Sequence, residues 1–191
     1  MRVIAGDFKG RKLNSLSGDN TRPTSDKIKG SIFNMIGPYF EDEVVLDLFS
    51  GSGNLAIEAV SRGCEKAYCF DNHFKAISII KENIDLTKKN EAFVVKKMDA
   101  DKALDWLKGE GVRFDLVFLD PPYAKQVIEK QVEKMLSLGL LNEFAKVICE
   151  TDKQVELPEK ILNLEQIKIQ DYGTTKVTIY KLIEGVESNE F

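Results

Sequence analysis

From residue 43 onward the chain alternates between short apolar runs and helical stretches, and this alternation limits the folds open to it more than any other feature. The strand candidates are EVVLDLF (43–49), KAYCFD (66–71), AFVVKKM (92–98), FDLVFLD (114–120) and KVICET (146–151). Between them lie NLAIEAVSRG, HFKAISIIKENIDLTKK, DKALDWLKGE and KQVIEKQVEKMLSLG, each with apolar residues at helical spacing. VVLDLF and LVFLD are apolar on both faces, as the central strands of a covered parallel sheet must be. Strands that alternate with helices in this way require βαβ crossovers and so an open, doubly wound α/β sheet. The end of this region breaks the pattern. LEQIKIQDYG and TTKVTIYKLI flank a Tyr-Gly-Thr turn, which predicts an antiparallel pair at one edge of a mostly parallel, seven-stranded sheet.

The first forty residues form a separate extension. RVIAG and RKLNSL read as two short strands of a β-hairpin, and TSDKIKGSIFNMIG as a helix with Thr24 or Ser25 as N-cap, Asp26 in its first turn and Gly37-Pro38 as its stop. The predicted organisation is an extension over 1–40, an α/β domain over 41–184 and a frayed tail over 185–191. A length of 191 residues suits one such domain with a small appendage. No apolar run approaches the ~18 residues of a membrane span, and the first residues lack the apolar core of a signal peptide, so a cytoplasmic protein without membrane contact is expected. Cys64, Cys69 and Cys149 lack CxxC spacing and sit in apolar contexts, which makes them packing residues. One histidine, His73, leaves no basis for a histidine-built metal site.

The net charge of −4 argues against a protein that coats nucleic acid through bulk electrostatics. The total conceals an asymmetry, because residues 1–40 carry +4 and the remaining 151 carry −8. A basic head on an acidic body can touch phosphates locally while the bulk stays soluble.

In doubly wound sheets, ligands sit at the carboxyl ends of the strands. The first such end reads Asp47-Leu48-Phe49-Ser50-Gly51-Ser52-Gly53-Asn54. Two glycines at alternate positions allow a tight turn and the close approach of a ligand to the backbone. The turn is neither a full GxGxxG nor a phosphate-binding GxxxxGK[ST], which weakens the nicotinamide and nucleotide-hydrolase readings. Asp71, twenty residues past Gly51, ends the second strand where a carboxylate can accept both hydroxyls of a ribose. Asp99 ends the third, placed to accept from an adenine amine while Ala100 offers its backbone amide. Each of these two acids also precedes a helix and reads equally as a helix cap. Asp120-Pro121-Pro122-Tyr123 ends the fourth. Two prolines remove two backbone donors and stiffen the turn, so that carbonyls face a cleft. The Asp120 carboxylate and the Pro121 carbonyl can then accept the two hydrogens of a planar base's exocyclic amine while Tyr123 stacks on the ring.

DLFSGSG followed by DPPY resembles the amino-group methyltransferases that use S-adenosylmethionine. Lys9-Gly10-Arg11-Lys12-Leu13 and Thr21-Arg22-Pro23-Thr24-Ser25-Asp26 narrow the resemblance to the RsmD family of bacterial 16S ribosomal RNA guanine-N2 methyltransferases. It runs from Arg2 to about Ile183 and implies a Rossmann-like class I methyltransferase fold. It also implies roles. Asp47, Phe49, Ser50, Gly51 and Gly53 would cradle the methionine part of S-adenosylmethionine, Asp71 with Asn72 its ribose, and Asp99 with Ala100 its adenine. Arg22 and Thr24 would lie across cofactor and target, Asp120 would touch both, and Arg2, Lys9, Arg11, Lys12 and Arg22 would meet RNA backbone. Where the family tends to have Arg-Glu, this chain has Lys29-Gly30. The implied partner is 16S rRNA in an assembled or assembling small subunit, approached by a monomer. The reaction yields S-adenosylhomocysteine and needs no metal.

Two other function classes fit parts of the pattern. A DNA adenine-N6 methyltransferase would present a similar amine to the same tetrapeptide, though no insertion long enough to read DNA sequence is evident. A non-catalytic nucleoside-binding factor for ribosome assembly would have no use for an intact DPPY.

Overall fold

The structure is a computed structural model, and it describes residues 1–16, 24–122 and 124–183. Its packing divides the chain into two compact units, Met1–Ala103 and the residues from Leu104 onward. The division falls well past residue 40, so the N-terminal extension belongs to the first unit.

The first unit contains α1 (Asp26–Ile36), β1 (Val44–Asp47), α2 (Asn54–Ser61), β2 (Lys66–Asp71), α3 (Phe74–Thr87) and β3 (Phe93–Lys97). The strands run parallel in the order β3-β2-β1, with Val45 beside Ala67 and Cys69 beside Val95. Val45, Leu46 and Leu48 are buried, as a strand covered on both faces requires. The Ser25 hydroxyl caps α1 by accepting from the Ile28 amide at 3.2 Å, and Asp26 follows in the first turn. The N-terminal residues were expected to form a hairpin of two strands. They are held instead by one antiparallel bridge, Arg2 to Lys12, and a few backbone bonds such as Val3 N to Arg11 O (2.9 Å). The reason is that the segment after Val3 turns away to pack on α2: the Asp7 amide donates to Ser61 O (2.8 Å) and the Phe8 amide to Ser61 Oγ (2.9 Å). Gly6, at φ +87°, makes this approach possible, since a Cβ there would lie 1.8 Å from Ser61 O.

α4 (Ala100–Glu110) leads into the second unit, which contains β4 (Phe114–Leu119), α5 (Ala124–Ser137), β5 (Leu141–Asp152), β6 (Lys160–Ile161), β7 (Leu164–Tyr172) and β8 (Thr175–Leu182). The strand order is β4-β5-β8-β7-β6, parallel between β4 and β5 and antiparallel thereafter. Two expectations need correction. Among the described residues there are eight strands rather than seven, and β7 is not the last of them, because the two-residue β6 pairs outside it. β8 is therefore interior. Val177, Ile179 and Tyr180 are buried, whereas Ile167 and Ile169 on β7 remain about half exposed. β5 also begins earlier than its apolar run, at Leu141, with a register shift where Asp115 faces several residues of β5.

All three cysteines are buried, and none forms a disulfide. Burial pushes the thiol pKa values of Cys69 and Cys149 up, and the nearby Asp47 carboxylate adds to this at Cys69. The native protein should therefore leave Ellman's reagent unreacted over minutes and titrate three thiols once unfolded. The folded thiols of Cys69 and Cys149 keep protons that unfolded thiols lose above their ordinary value of 9.0, so this contribution to stability falls as pH rises past 9.0. A rapid native thiol would contradict the burial.

Candidate active site

The turn after β1 is built by its own backbone. Ser50 N donates to Phe70 O (2.9 Å), Ser50 Oγ to Asp47 O (2.9 Å), and Gly53 N to Ser50 O (2.8 Å). The Ser50 hydroxyl proton is thus spent on the turn, which leaves its oxygen as an acceptor only. Gly51 (φ +58°) and Gly53 (φ +81°) both adopt the left-handed conformation, and Gly53 opens α2. A Cβ on Gly51 would meet no atom within 4 Å, so this side of the turn is open, whereas the same position on Gly53 faces Ile57 and Ile80. Asp47 is buried, Phe49 half-buried and Asn72 exposed.

Asp71 joins the turn directly. Its Oδ2 accepts from the Gly51 amide (3.0 Å) and its Oδ1 from the His73 amide (3.0 Å). A carboxylate has about four lone-pair sites, so two acceptor positions remain on Asp71 beside the open flank of Gly51. The residues present therefore fit a ribose diol against a backbone turn that a bulky ligand can approach. Asp99 is placed differently. Its Oδ1 accepts from the Lys102 amide (2.9 Å), the N-cap geometry for α4, and its Oδ2 lies 4.0 Å from Lys102 Nζ. Ala100 is the first residue of that helix, where a backbone amide has no intrahelical partner. Met98 N donates to Asp71 O (3.0 Å), which keeps the ends of β2 and β3 side by side.

The residues assigned to RNA separate into two kinds. Arg2, Lys9, Arg11 and Lys12 are all exposed. Arg11 is partly engaged, since its Nη1 donates to Leu86 O at the end of α3 (2.8 Å) and its guanidinium lies 5.2 Å from the Phe8 ring centre. Arg22 lies outside the described residues. Thr24 is buried, and its carbonyl accepts from Asn54 Nδ2 (3.3 Å).

Sequence reasoning missed the most polar part of the unit's interior. Glu58, fully buried in α2, accepts from the Ile4 amide (2.8 Å), the Ala5 amide (3.1 Å) and Arg62 Nε (2.8 Å), and pairs with Lys29 Nζ (3.1 Å). Lys29, also fully buried, donates as well to Arg2 O and to Asn54 Oδ1, both at 2.6 Å. Burial lowers the Lys29 pKa and the Glu58 charge opposes that shift. The signal was present in the spacing: Lys29 shares the apolar stripe of α1 with Ile32, Phe33 and Ile36, and Glu58 sits inside AIEAV.

In the second unit, β4 ends at Leu119 and Asp120 follows, exposed, with Pro121 buried and Pro122 exposed. Tyr123 lies outside the described residues. Among the described residues no cluster of three or more His, Cys, Asp or Glu side chains is placed to hold a metal, and no helix is long and apolar enough to cross a membrane.

The chain's relatives are consistent with this architecture. YlbH of Bacillus subtilis is 44% identical over 181 residues, covering 95% of this chain and 98% of that one. Ribosomal RNA small subunit methyltransferase D of Haemophilus influenzae is 31% identical over 189 residues, covering 97% of this chain and 94% of its own. A solved structure described as a conserved hypothetical protein of Streptococcus pyogenes superposes with a TM-score of 0.77 at 52% identity, over 82% of this chain and 96% of that one. The fold is that of the Rossmann-like class I methyltransferases. The model of the family described as Conserved hypothetical protein 95 matches residues 1–181, and the chain belongs to that family, the RsmD family.

Proposed function

We propose that this protein is an S-adenosylmethionine-dependent methyltransferase that acts as a monomer in the cytoplasm on 16S rRNA, within an assembled or assembling small subunit. Its target is the exocyclic N2 amine of one guanine, of the guanine 966 type. The observation that carries this reading is the intact Asp120-Pro121-Pro122-Tyr123 immediately after β4, in a chain whose relative in Haemophilus influenzae is named for methylation of small-subunit rRNA.

The cofactor supplies an electrophilic methyl on a sulfonium. The protein's own residues do the rest. Asp71 holds the ribose hydroxyls with its two remaining acceptor positions, and Gly51 lets the ligand lie close to the backbone. Asp47 and Ser50 offer acceptors to the methionine ammonium, and the Ala100 amide donates to the adenine ring. Asp120 and the Pro121 carbonyl accept from the guanine amine, whose lone pair is otherwise delocalised into the ring, while Tyr123 stacks on the base. Acceptors off the ring plane draw the nitrogen toward tetrahedral geometry and free its lone pair for in-line attack. With the cofactor bound, its methyl would pass to the amine nitrogen that Asp120 and the Pro121 carbonyl hold, S-adenosylhomocysteine would be the leaving group, and the proton lost by the nitrogen would pass by way of these acceptors to water. Arg2, Lys9, Arg11, Lys12 and Arg22 make local phosphate contacts, in keeping with a basic head on an acidic body.

The test is transfer of tritiated methyl from S-adenosylmethionine to small-subunit particles from cells lacking the gene, with naked 16S rRNA and duplex DNA as parallel substrates. Label confined to a single guanine in the particle's RNA, located by mass mapping, is expected. Label on DNA adenine would establish the DNA alternative, and no label on any substrate would favour the non-catalytic one.

A further inference from the structure

The glycine turn is tied to the N-terminal segment by two buried asparagines. Asn83, on α3 and fully buried, donates from Nδ2 to both Ser52 O (2.8 Å) and Asn14 O (2.9 Å), while its Oδ1 accepts from the Asn14 amide (2.8 Å). Asn54, the first residue of α2, donates from Nδ2 to Thr24 O (3.3 Å), and its Oδ1 accepts from Lys29 Nζ (2.6 Å). Ser52 and Asn54 flank Gly53, so the chain is anchored to one turn at Asn14 and again at Thr24. Lys29 is held in turn by Glu58 and Arg2 O. Every polar atom of the Asn83 side chain is used in the bridge, and both Asn54 polar atoms are as well. Core filling alone needs no such matching, because an apolar side chain would fill the same space without polar groups to satisfy.

We infer that Asn54 and Asn83 are positioning residues that couple ligand occupancy of the Gly51–Gly53 turn to the ordering of the chain at Asn14 and Thr24. The inference rests on the cofactor assignment above. A ligand seated on the turn fixes the Ser52 carbonyl and the start of α2. The asparagines pass that order to the backbone on either side, and by reciprocity an ordered N-terminal segment raises the affinity of the turn for its ligand. In a protein with phosphate-binding side chains on that segment, cofactor and RNA would bind with positive coupling.

The experiment uses the full chain with S-adenosylhomocysteine as the probe. Hydrogen exchange should show the Asn14 amide, which donates to Asn83, and the Lys29 amide, which donates to Ser25 O, protected at least fivefold more on saturation with the probe. Asn54→Asp keeps an acceptor for Lys29 and replaces the donor to Thr24 O. Asn83→Ala removes the other bridge. Each should weaken probe binding by roughly 5–20-fold in calorimetry and abolish the protection response at its own anchor. A merely structural role would lower the melting temperature without uncoupling the two readouts. Lys29→Arg, which preserves a cation at Glu58 and Asn54, should keep wild-type coupling. Wild-type protein that binds the probe with no change in protection overturns the coupling and leaves the function intact, as do variants with unchanged affinity and an unchanged protection response. Wild-type protein that binds no probe overturns the cofactor assignment and the coupling with it.

Discussion

Asp120→Ala is expected to reduce methyl transfer to small-subunit particles by at least ~100-fold while S-adenosylhomocysteine affinity stays within about threefold of wild type. The asymmetry follows from what each group does. A guanine amine is a weak nucleophile, and acceptors placed to meet it as it becomes tetrahedral stabilise the transition state far more than the ground state. The loss should therefore fall on kcat. The remaining cofactor residues, from Asp47 to Ala100, all lie in the first unit and keep their own side chains in this variant. Asp120→Asn is the informative companion, because its side-chain oxygen still accepts one hydrogen bond while the charge is gone, and it should recover only part of the lost rate. Single-turnover assays at saturating cofactor separate the cases. A variant that transfers methyl at the wild-type rate removes Asp120 from the amine site. Equal losses in cofactor affinity and turnover would place it on the cofactor instead.

What the sequence made legible follows from local rules, and what it concealed follows from long-range ones. The double-faced apolar runs marked β1 and β4 as strands buried on both faces, and the bounds of β2 were readable to the residue because Lys66 and Asp71 terminate an apolar run cleanly. The glycine turn and the carboxylates at successive strand ends were readable because the geometry of a parallel sheet fixes where strand ends lie. β6 was not, being two residues long and dependent on pairing with β7 for its existence. The early start of β5 was hidden by the extra residues that face Asp115. The N-terminal hairpin was over-read because its strand-like pattern competes with Ser61 and Glu58, which capture the amides of Ile4, Ala5, Asp7 and Phe8. Asp99 was left between cap and ligand by the sequence. The structure gives it the cap, using one oxygen and leaving the other near Lys102.

The largest effect on stability should come from Glu58→Gln, at about 3–5 kcal/mol, because it removes the buried carboxylate that pairs with both Lys29 and Arg62. Shape is conserved, so no cavity forms. The cost arises because two cations lose their counter-charge while water cannot reach them, and because an amide nitrogen now faces one of the donors that Glu58 accepted. Urea unfolding should show the full loss, and a deficit under about 1 kcal/mol would mean that water reaches the cluster. Lys29→Met added to Glu58→Gln should recover part of the stability, since one of the two orphaned cations is gone. The pH dependence gives an independent check on sign. Burial already lowers the Lys29 pKa from its ordinary value of 10.5, and losing Glu58 lowers it further. Between the folded value and 10.5 the unfolded chain binds more protons than the folded one, so the stability of Glu58→Gln should rise with pH in that window as Lys29 becomes neutral. The deficit relative to wild type should narrow toward pH 10.5, and one that widens instead would mean that Lys29 is not the group left without a partner.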